Sequence, residues 1–77
     1  MKKHLSVLDA AEIVLKNARQ PMTPLEIWEV IALMGLWRSL AGRTPWDTLG
    51  AALYRELKMK GANSRFEKFG RGKFVRR

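Results

Sequence analysis

Residues 23–35 read TPLEIWEVIALMG and residues 44–61 read TPWDTLGAALYRELKMKG, and these two stretches decide the fold. Each opens with threonine and proline, carries an acidic residue three positions after the threonine, and closes at a glycine. A threonine N-cap, a proline in the first turn and an acidic side chain that completes a capping box are typical of a helix start. Glycine is typical of a helix end. The pattern predicts two helices joined by a loop over residues 36–43.

Apolar residues recur at helical spacing within both stretches. The buried face predicted for the earlier helix consists of Ile27, Trp28, Ile31 and Met34. The buried face predicted for the later helix consists of Trp46, Leu49, Leu53 and Leu57. The cap residues predicted for this later helix are Thr44 and Asp47.

A further helix is predicted upstream of this pair. Ser6 and Asp9 form another capping-box pattern, and Pro21 prevents the helix from continuing. The apolar stripe of this first helix consists of Leu8, Ala11, Leu15 and Ala18. Met22, between the proline and the next cap, is expected in a very short extended segment.

In the last segment of the chain, the apolar residues no longer follow the helical spacing of the earlier segments. Two short runs rich in β-forming residues, 66–69 and 73–75, flank Gly70, Arg71 and Gly72, and this predicts a β-hairpin. Three helices followed by a hairpin is the order of a winged helix-turn-helix, a mainly α (α+β) fold. We expect residues 1–77 to form a single domain, since no linker or repeat divides them.

The charge is concentrated at one end of the chain. The 77 residues carry a formal charge of +8, with seven basic and six acidic side chains over residues 1–57 but eight basic and one acidic over residues 58–77. Such a field favours a polyanionic partner, namely DNA, RNA or an anionic membrane surface. A solubilising basic tail is the alternative.

Several strings in these segments resemble the HARE-HTH family of winged helices. The strings are Glu26-Ile27-Trp28, Gly35-Leu36, Thr44-Pro45, Leu49 through Leu53-Tyr54, and Gly72-Lys73-Phe74. The resemblance covers the chain from about Leu8 to Arg77. That family occurs fused to bacterial restriction and DNA-modification systems, in eukaryotic chromatin proteins, and in an accessory subunit of bacterial RNA polymerase. The resemblance implies DNA binding with sensitivity to base modification and without catalysis of its own.

The second helix of a helix-turn-helix pair lies in the major groove. If Leu49, Leu53 and Leu57 point inward, the outward face of that helix carries Thr48, Ala51, Arg55 and Lys58. Short side chains would approach base edges, and the basic ones would meet phosphates or, for Arg55, a guanine. Arg43 and Thr44 at the helix start would add a phosphate site. The alternative is a solvated face on which Arg55 pairs with Glu56.

The hairpin is the second predicted DNA contact. Arg71 stands at its tip, Lys68 and Lys73 flank it, and Arg76 and Arg77 extend the charge without acidic neighbours to balance it. The alternative is that these cations protect a strand edge from pairing with another chain.

The aromatic side chains are predicted to be core residues. They are Trp28, Trp46, Phe66, Phe69 and Phe74. Trp37, in the loop, is expected either as an exposed anchor for a protein partner or as a lid on the core.

Catalytic and metal-binding patterns are lacking in the sequence. His4 is the single histidine, there is no cysteine, and no serine has a histidine or lysine arrangement that would activate it. We therefore expect a non-enzyme with no cofactor, no metal and no small-molecule substrate.

The predicted partner is double-stranded DNA, with a fused or associated effector protein. The alternative function is a protein-interaction module that docks on RNA polymerase or a chromatin complex through residues 35–43 and Trp37. A membrane span is not expected, because the longest apolar run is eight residues, 30–37. Membrane-surface binding ranks third, because no helix combines a basic face with a bulky apolar one. We expect an intracellular location, in the bacterial cytoplasm or nucleoid rather than in a nucleus.

Overall fold

The computed structural model describes residues 6–37 and 45–77. Within these ranges the chain forms the helices α1 (Val7–Asn17), α2 (Pro24–Met34) and α3 (Pro45–Lys60). A short 3-10 turn (Gly61–Asn63) leads to the strands β1 (Phe66–Phe69) and β2 (Lys73–Arg76). The predicted order of three helices and a C-terminal hairpin is confirmed, and the fold is a mostly helical winged helix.

The starts of α1 and α2 follow from local hydrogen bonding. The Ser6 hydroxyl accepts from the Asp9 amide at 3.0 Å, while the Asp9 carboxylate accepts from the Ser6 amide at 3.1 Å. Thr23 and Glu26 repeat the arrangement at 3.2 and 2.8 Å. α2 ends at Met34 and is capped by Gly35, whose φ of 67° is the left-handed conformation that glycine adopts without strain. The predicted cap of α3, Thr44, lies outside the described residues.

One buried cluster joins the helices to the hairpin. Its members are Ala10, Ala11, Val14, Leu15, Ile27, Ile31, Leu49, Leu53, Phe66 and Phe74. Ala10 and Val14 widen the stripe predicted for α1, while Leu8 and Ala18 lie at its margin. Because a chain of this size has a thin core, each of these side chains matters to stability.

The two strands pair in antiparallel register, with Phe66 opposite Arg76 and Lys68 opposite Phe74. Met22 pairs with the free side of β2: its amide donates to the Phe74 carbonyl at 3.1 Å, and the Phe74 amide donates back at 2.8 Å. The short extended segment predicted at Met22 is therefore confirmed, and it ties the chain before α2 to the hairpin.

The prediction that Met34 is buried is wrong. Met34 is the last residue of α2 and is 55% exposed. The chain reverses after it, so that the Leu36 amide donates to the Ile31 carbonyl at 3.1 Å. Leu36 and Trp37 then pack against the core at this end of α2.

Phe69 is also not a core residue, because it is 59% exposed. Successive side chains of a strand point to opposite faces. Phe66 is buried on one face of β1, which places Phe69 on the other face, opposite Lys73. The spacing of three between the two phenylalanines fits a helix and not a strand.

Candidate nucleic-acid interface

The predicted outward face of α3 is exposed in the structure. Its four residues are Thr48, Ala51, Arg55 and Lys58. They lie opposite the side of α3 that buries Leu49, Leu53 and Glu56. The helix therefore presents two short side chains in its first half and two cations later, as its sequence predicts.

The alternative pairing of Arg55 with Glu56 does not occur. Glu56 points into the protein, where its carboxylate accepts from the Ser64 hydroxyl at 3.1 Å and lies 3.5 Å from Arg65 Nε. Within residues 6–37 and 45–77, neither Arg55 nor Lys58 forms an ion pair. Their charges remain available to an external anion.

The wing, defined here as residues 66–76, presents three exposed cations besides Arg76: Lys68, Arg71 and Lys73. Arg71 stands in the connection between two glycines with φ of 63° and 72°, conformations that disfavour other residues. No ion pair links these three cations to a carboxylate in the described ranges.

Lys73 also acts on the start of α2. The pKa of Glu26 is lowered mainly because its carboxylate accepts from the Thr23 amide, and the charge of Lys73 adds to this lowering. Lys73 therefore lies close enough to the first turn of α2 for its field to be felt there.

Tyr54 connects α3 to the wing, a role that the sequence analysis did not assign. Its ring meets Phe74 edge-on with centroids 5.3 Å apart, and Lys68 Nζ lies 5.3 Å from its centroid. Lys68 and Phe74 are cross-strand partners, so both point towards α3. Because Tyr54 is 46% exposed, the surface that runs from α3 to the wing is continuous at this residue. In the sequence, Tyr54 lies four positions after Gly50 and eight after Trp46. This helical spacing indicates that the three residues share one side of α3.

Four of the cations in residues 58–77 form intramolecular ion pairs, contrary to the prediction that the segment lacks acidic balance. One of them is Lys60, whose Nζ lies 3.9 Å from Glu56. Arg65 Nη1 donates to Asp9 at 2.8 Å and to Glu12 at 3.0 Å. Arg76 Nε donates to Glu12 at 3.1 Å. Arg77 lies 4.0 Å from Glu67 and also donates to the Ala62 carbonyl at 2.7 Å. The α1 carboxylates that balance Arg65 and Arg76 are 53 to 64 positions away in the sequence, whereas Glu56 of α3, which also lies near Arg65, is close to it in the sequence.

These contacts change the titration of the α1 carboxylates. Hydrogen bonds from Arg65 are the main cause that lowers the pKa of both Asp9 and Glu12, and Arg76 contributes at Glu12. The pKa of Arg65 is raised in turn, mainly by its hydrogen bond to Asp9. This cluster thus ties β2 and the residue before β1 to α1.

Trp37 is partly buried and meets Trp28 edge-to-face, with ring centroids 5.8 Å apart. This is the geometry of a lid on the core rather than of a free anchor. Leu33 and Met34, shortly before it, are 86% and 55% exposed. Those two side chains are the exposed apolar feature at this end of α2.

The remaining site predictions fall outside the described residues, since Arg43 and Thr44 belong to residues 38–44. In the described ranges, no cluster of three or more metal-ligating side chains occurs. No helix there is long and apolar enough to cross a membrane.

One comparison with known proteins gives a match. A family model for a helix-turn-helix (HTH) domain, whose description names ASXL and restriction endonuclease, matches residues 5–77, nearly the whole chain. No curated protein and no solved structure gives a significant match.

Proposed function

Because the chain belongs to the HARE-HTH family, whose helix-turn-helix domains generally bind DNA, we propose that it binds double-stranded DNA through α3 and the wing. α3 enters the major groove, and the wing lies on the neighbouring sugar-phosphate backbone. The observation that carries this proposal is the distribution of free cations. Within the described ranges, Arg65 and Arg76 are paired with carboxylates of α1. The two cations on the outward face of α3 and the other three cations of the wing have no carboxylate partner there.

The residue roles follow from side-chain length and charge. Thr48, Ala51 and Arg55 read base edges, because the short pair allows close approach and Arg55 can donate two hydrogen bonds to guanine. The phosphate contacts come from Lys58, Lys68, Arg71 and Lys73, with Arg43 and Thr44 at the start of α3. These contacts position the domain and carry little sequence information.

The family context extends the proposal. The description of the family names restriction endonuclease. A binding module without catalysis of its own would deliver a fused or associated effector to DNA and would distinguish modified from unmodified bases.

Docking on a protein such as RNA polymerase or a chromatin complex is the second candidate. It is favoured by Leu33 and Met34, which are exposed apolar side chains at the end of α2. Replacing both with glutamate would abolish such docking and leave DNA affinity unchanged within about twofold, since neither lies on the α3 face or the wing.

The test is fluorescence anisotropy with one labelled duplex, prepared unmodified and with 5-methylcytosine. DNA binding predicts saturable binding to the duplex, and modification sensing predicts a difference between the two forms of roughly tenfold or more, the scale of one specific base contact. Equal affinities would overturn modification sensing alone. No binding by the folded protein at low salt would overturn the proposed function.

A further inference from the structure

A cleft of about 390 Å³ lies beside the exposed face of α3. One wall is a row of α3 residues, Trp46, Gly50 and Tyr54, which share one side of the helix because they are four positions apart. The other wall is the start of α2, with Pro24 and Leu25. Small-ligand sites typically span about 300–1,000 Å³, so this cleft has room for a small planar group.

Gly50 shapes the cleft. A Cβ atom at this position would lie 3.4 Å from Pro24 Cγ, so the start of α2 approaches the backbone of α3 closely here. The ring of Pro24 packs over the buried Gly50 and forms the floor of the cleft between Trp46 and Tyr54. Two aromatic side chains therefore flank an apolar floor.

Of these aromatic walls, Tyr54 contacts the buried Phe74, but much of both side chains lies outside the core. Tyr54 and Leu25 are each 46% exposed, and Trp46 is only partly buried. Among the described residues, Trp46 is not one of the partly buried side chains that pack against the central cluster. The prediction of Trp46 as a core residue is corrected accordingly: it forms a wall of this cleft.

The charges around the cleft indicate what occupies it. Tyr54 carries Lys68 over its ring, and Ala51 belongs both to the cleft and to the exposed face of α3. An anionic polymer on that face would therefore pass along the cleft. Asp47, an exposed carboxylate, lines the rim and disfavours a phosphate inside. The part of the polymer that fits is neutral and planar.

We propose that this cleft binds one unstacked nucleobase of the DNA held by α3 and the wing, on the floor formed by Pro24 and stacked against Trp46. Aromatic side chains bind bases by stacking in a way that tolerates all four bases. The inference rests on the proposed DNA binding and adds a ligand preference to it: DNA with an extrahelical base is bound more tightly than a perfect duplex.

The experiment compares two labelled duplexes that differ by a single extrahelical adenine at the centre. The wild-type protein is expected to bind the bulged duplex roughly tenfold more tightly, as one stacked base would give. Trp46→Leu keeps apolar bulk but removes the stacking face, so it should abolish the preference and leave affinity for the perfect duplex within about twofold. Leu33→Ala, an apolar truncation on α2 outside the cleft, is the control and should keep both affinities.

The outcomes separate the two proposals. Binding of both duplexes with equal affinity, or a preference that persists in Trp46→Leu, overturns the cleft and leaves DNA binding intact. Binding of neither duplex overturns DNA binding and the cleft together. If circular dichroism shows that Trp46→Leu is unfolded, Leu25→Gln on the opposite wall replaces it, with the same expected loss of preference.

Discussion

The ammonium group of Lys68, on the wing, lies 5.3 Å from the centre of the Tyr54 ring, on α3. Tyr54 also contacts Phe74, the cross-strand partner of Lys68. A single exposed aromatic side chain thus bridges the wing and the helix proposed to read DNA, in addition to the buried contacts that Phe66 and Phe74 make in the core.

Replacing Tyr54 with alanine should weaken both stability and DNA binding. Loss of the edge contact with Phe74 is expected to cost about 1–2 kcal/mol of unfolding free energy. DNA affinity should fall at least about twofold, because Lys68 loses its support. Tyr54→Phe retains the ring and should preserve both quantities. Urea unfolding measures the stability, and fluorescence anisotropy measures the DNA affinity. If Tyr54→Ala has the stability and affinity of wild type, Tyr54 does not bridge α3 and the wing.

Arg55→Ala and Arg71→Ala should each weaken DNA binding by roughly three- to tenfold and reduce the salt slope by about 1. The cause is the loss of one contact from α3 or from the wing, with little effect on stability, since both side chains are exposed. Lys16→Ala, on α1, removes the same unit charge from an exposed position away from the proposed surface. Similar losses in all three variants would indicate a general effect of net charge and would refute the assigned contacts.

Arg65→Met should lower the stability of the fold and have a smaller effect on DNA binding than Arg71→Ala. It leaves the buried carboxylate of Glu56 with only Ser64 and a Lys60 amine at 3.9 Å, and it frees Asp9 and Glu12 from their main partner. We expect a loss of about 2–3 kcal/mol of unfolding free energy. DNA affinity measured where the variant is still folded should change less than in Arg71→Ala. The reverse ranking of the two affinities would show that Arg65 contacts DNA.

Acid should destabilise the fold through the carboxylates of α1. The pKa values of Asp9 and Glu12 are lowered from their ordinary 3.8 and 4.5, so the unfolded chain binds more protons as the pH falls. Their stabilisation is fully present above about pH 5 and is lost as the pH falls through the lowered values.

Urea unfolding at a series of pH values tests this. Glu12→Gln should flatten the dependence of unfolding free energy on pH between about pH 5 and 3. Glu29→Gln removes an exposed carboxylate outside the cluster and serves as the control. If Glu12→Gln and wild type have the same slope, the cluster does not carry the acid sensitivity.

Local chemistry explains what could be predicted from the sequence. The capping boxes at Ser6 and Thr23 involve only residues within the first helical turn. Gly70 and Gly72 adopt the positive φ angles of the hairpin connection, and their positions in the sequence indicate it. The outward face of α3 also follows from its helical period. The fold and the exposed face of α3 were therefore predictable without tertiary information.

Long-range contacts explain what could not be predicted. Arg65 and Asp9 are 56 positions apart, and no local pattern indicates that the residue before β1 returns to α1. The division of the C-terminal cations into paired and free groups depends on that packing. Glu56 is buried for the same reason, because Ser64 and Arg65 reach it only after the turn at residues 61–63 reverses the chain.

The most direct test of the central claim is the salt dependence of binding to a labelled duplex. Five free cations, on α3 and the wing, meeting five phosphates predict that the logarithm of the association constant falls with the logarithm of salt concentration with a slope of about −4 to −5. A slope in this range, reduced by about 1 in Arg71→Ala, is the result that the proposal predicts. The absence of binding at low salt, or a slope near zero, from a protein that circular dichroism shows to be folded would contradict it.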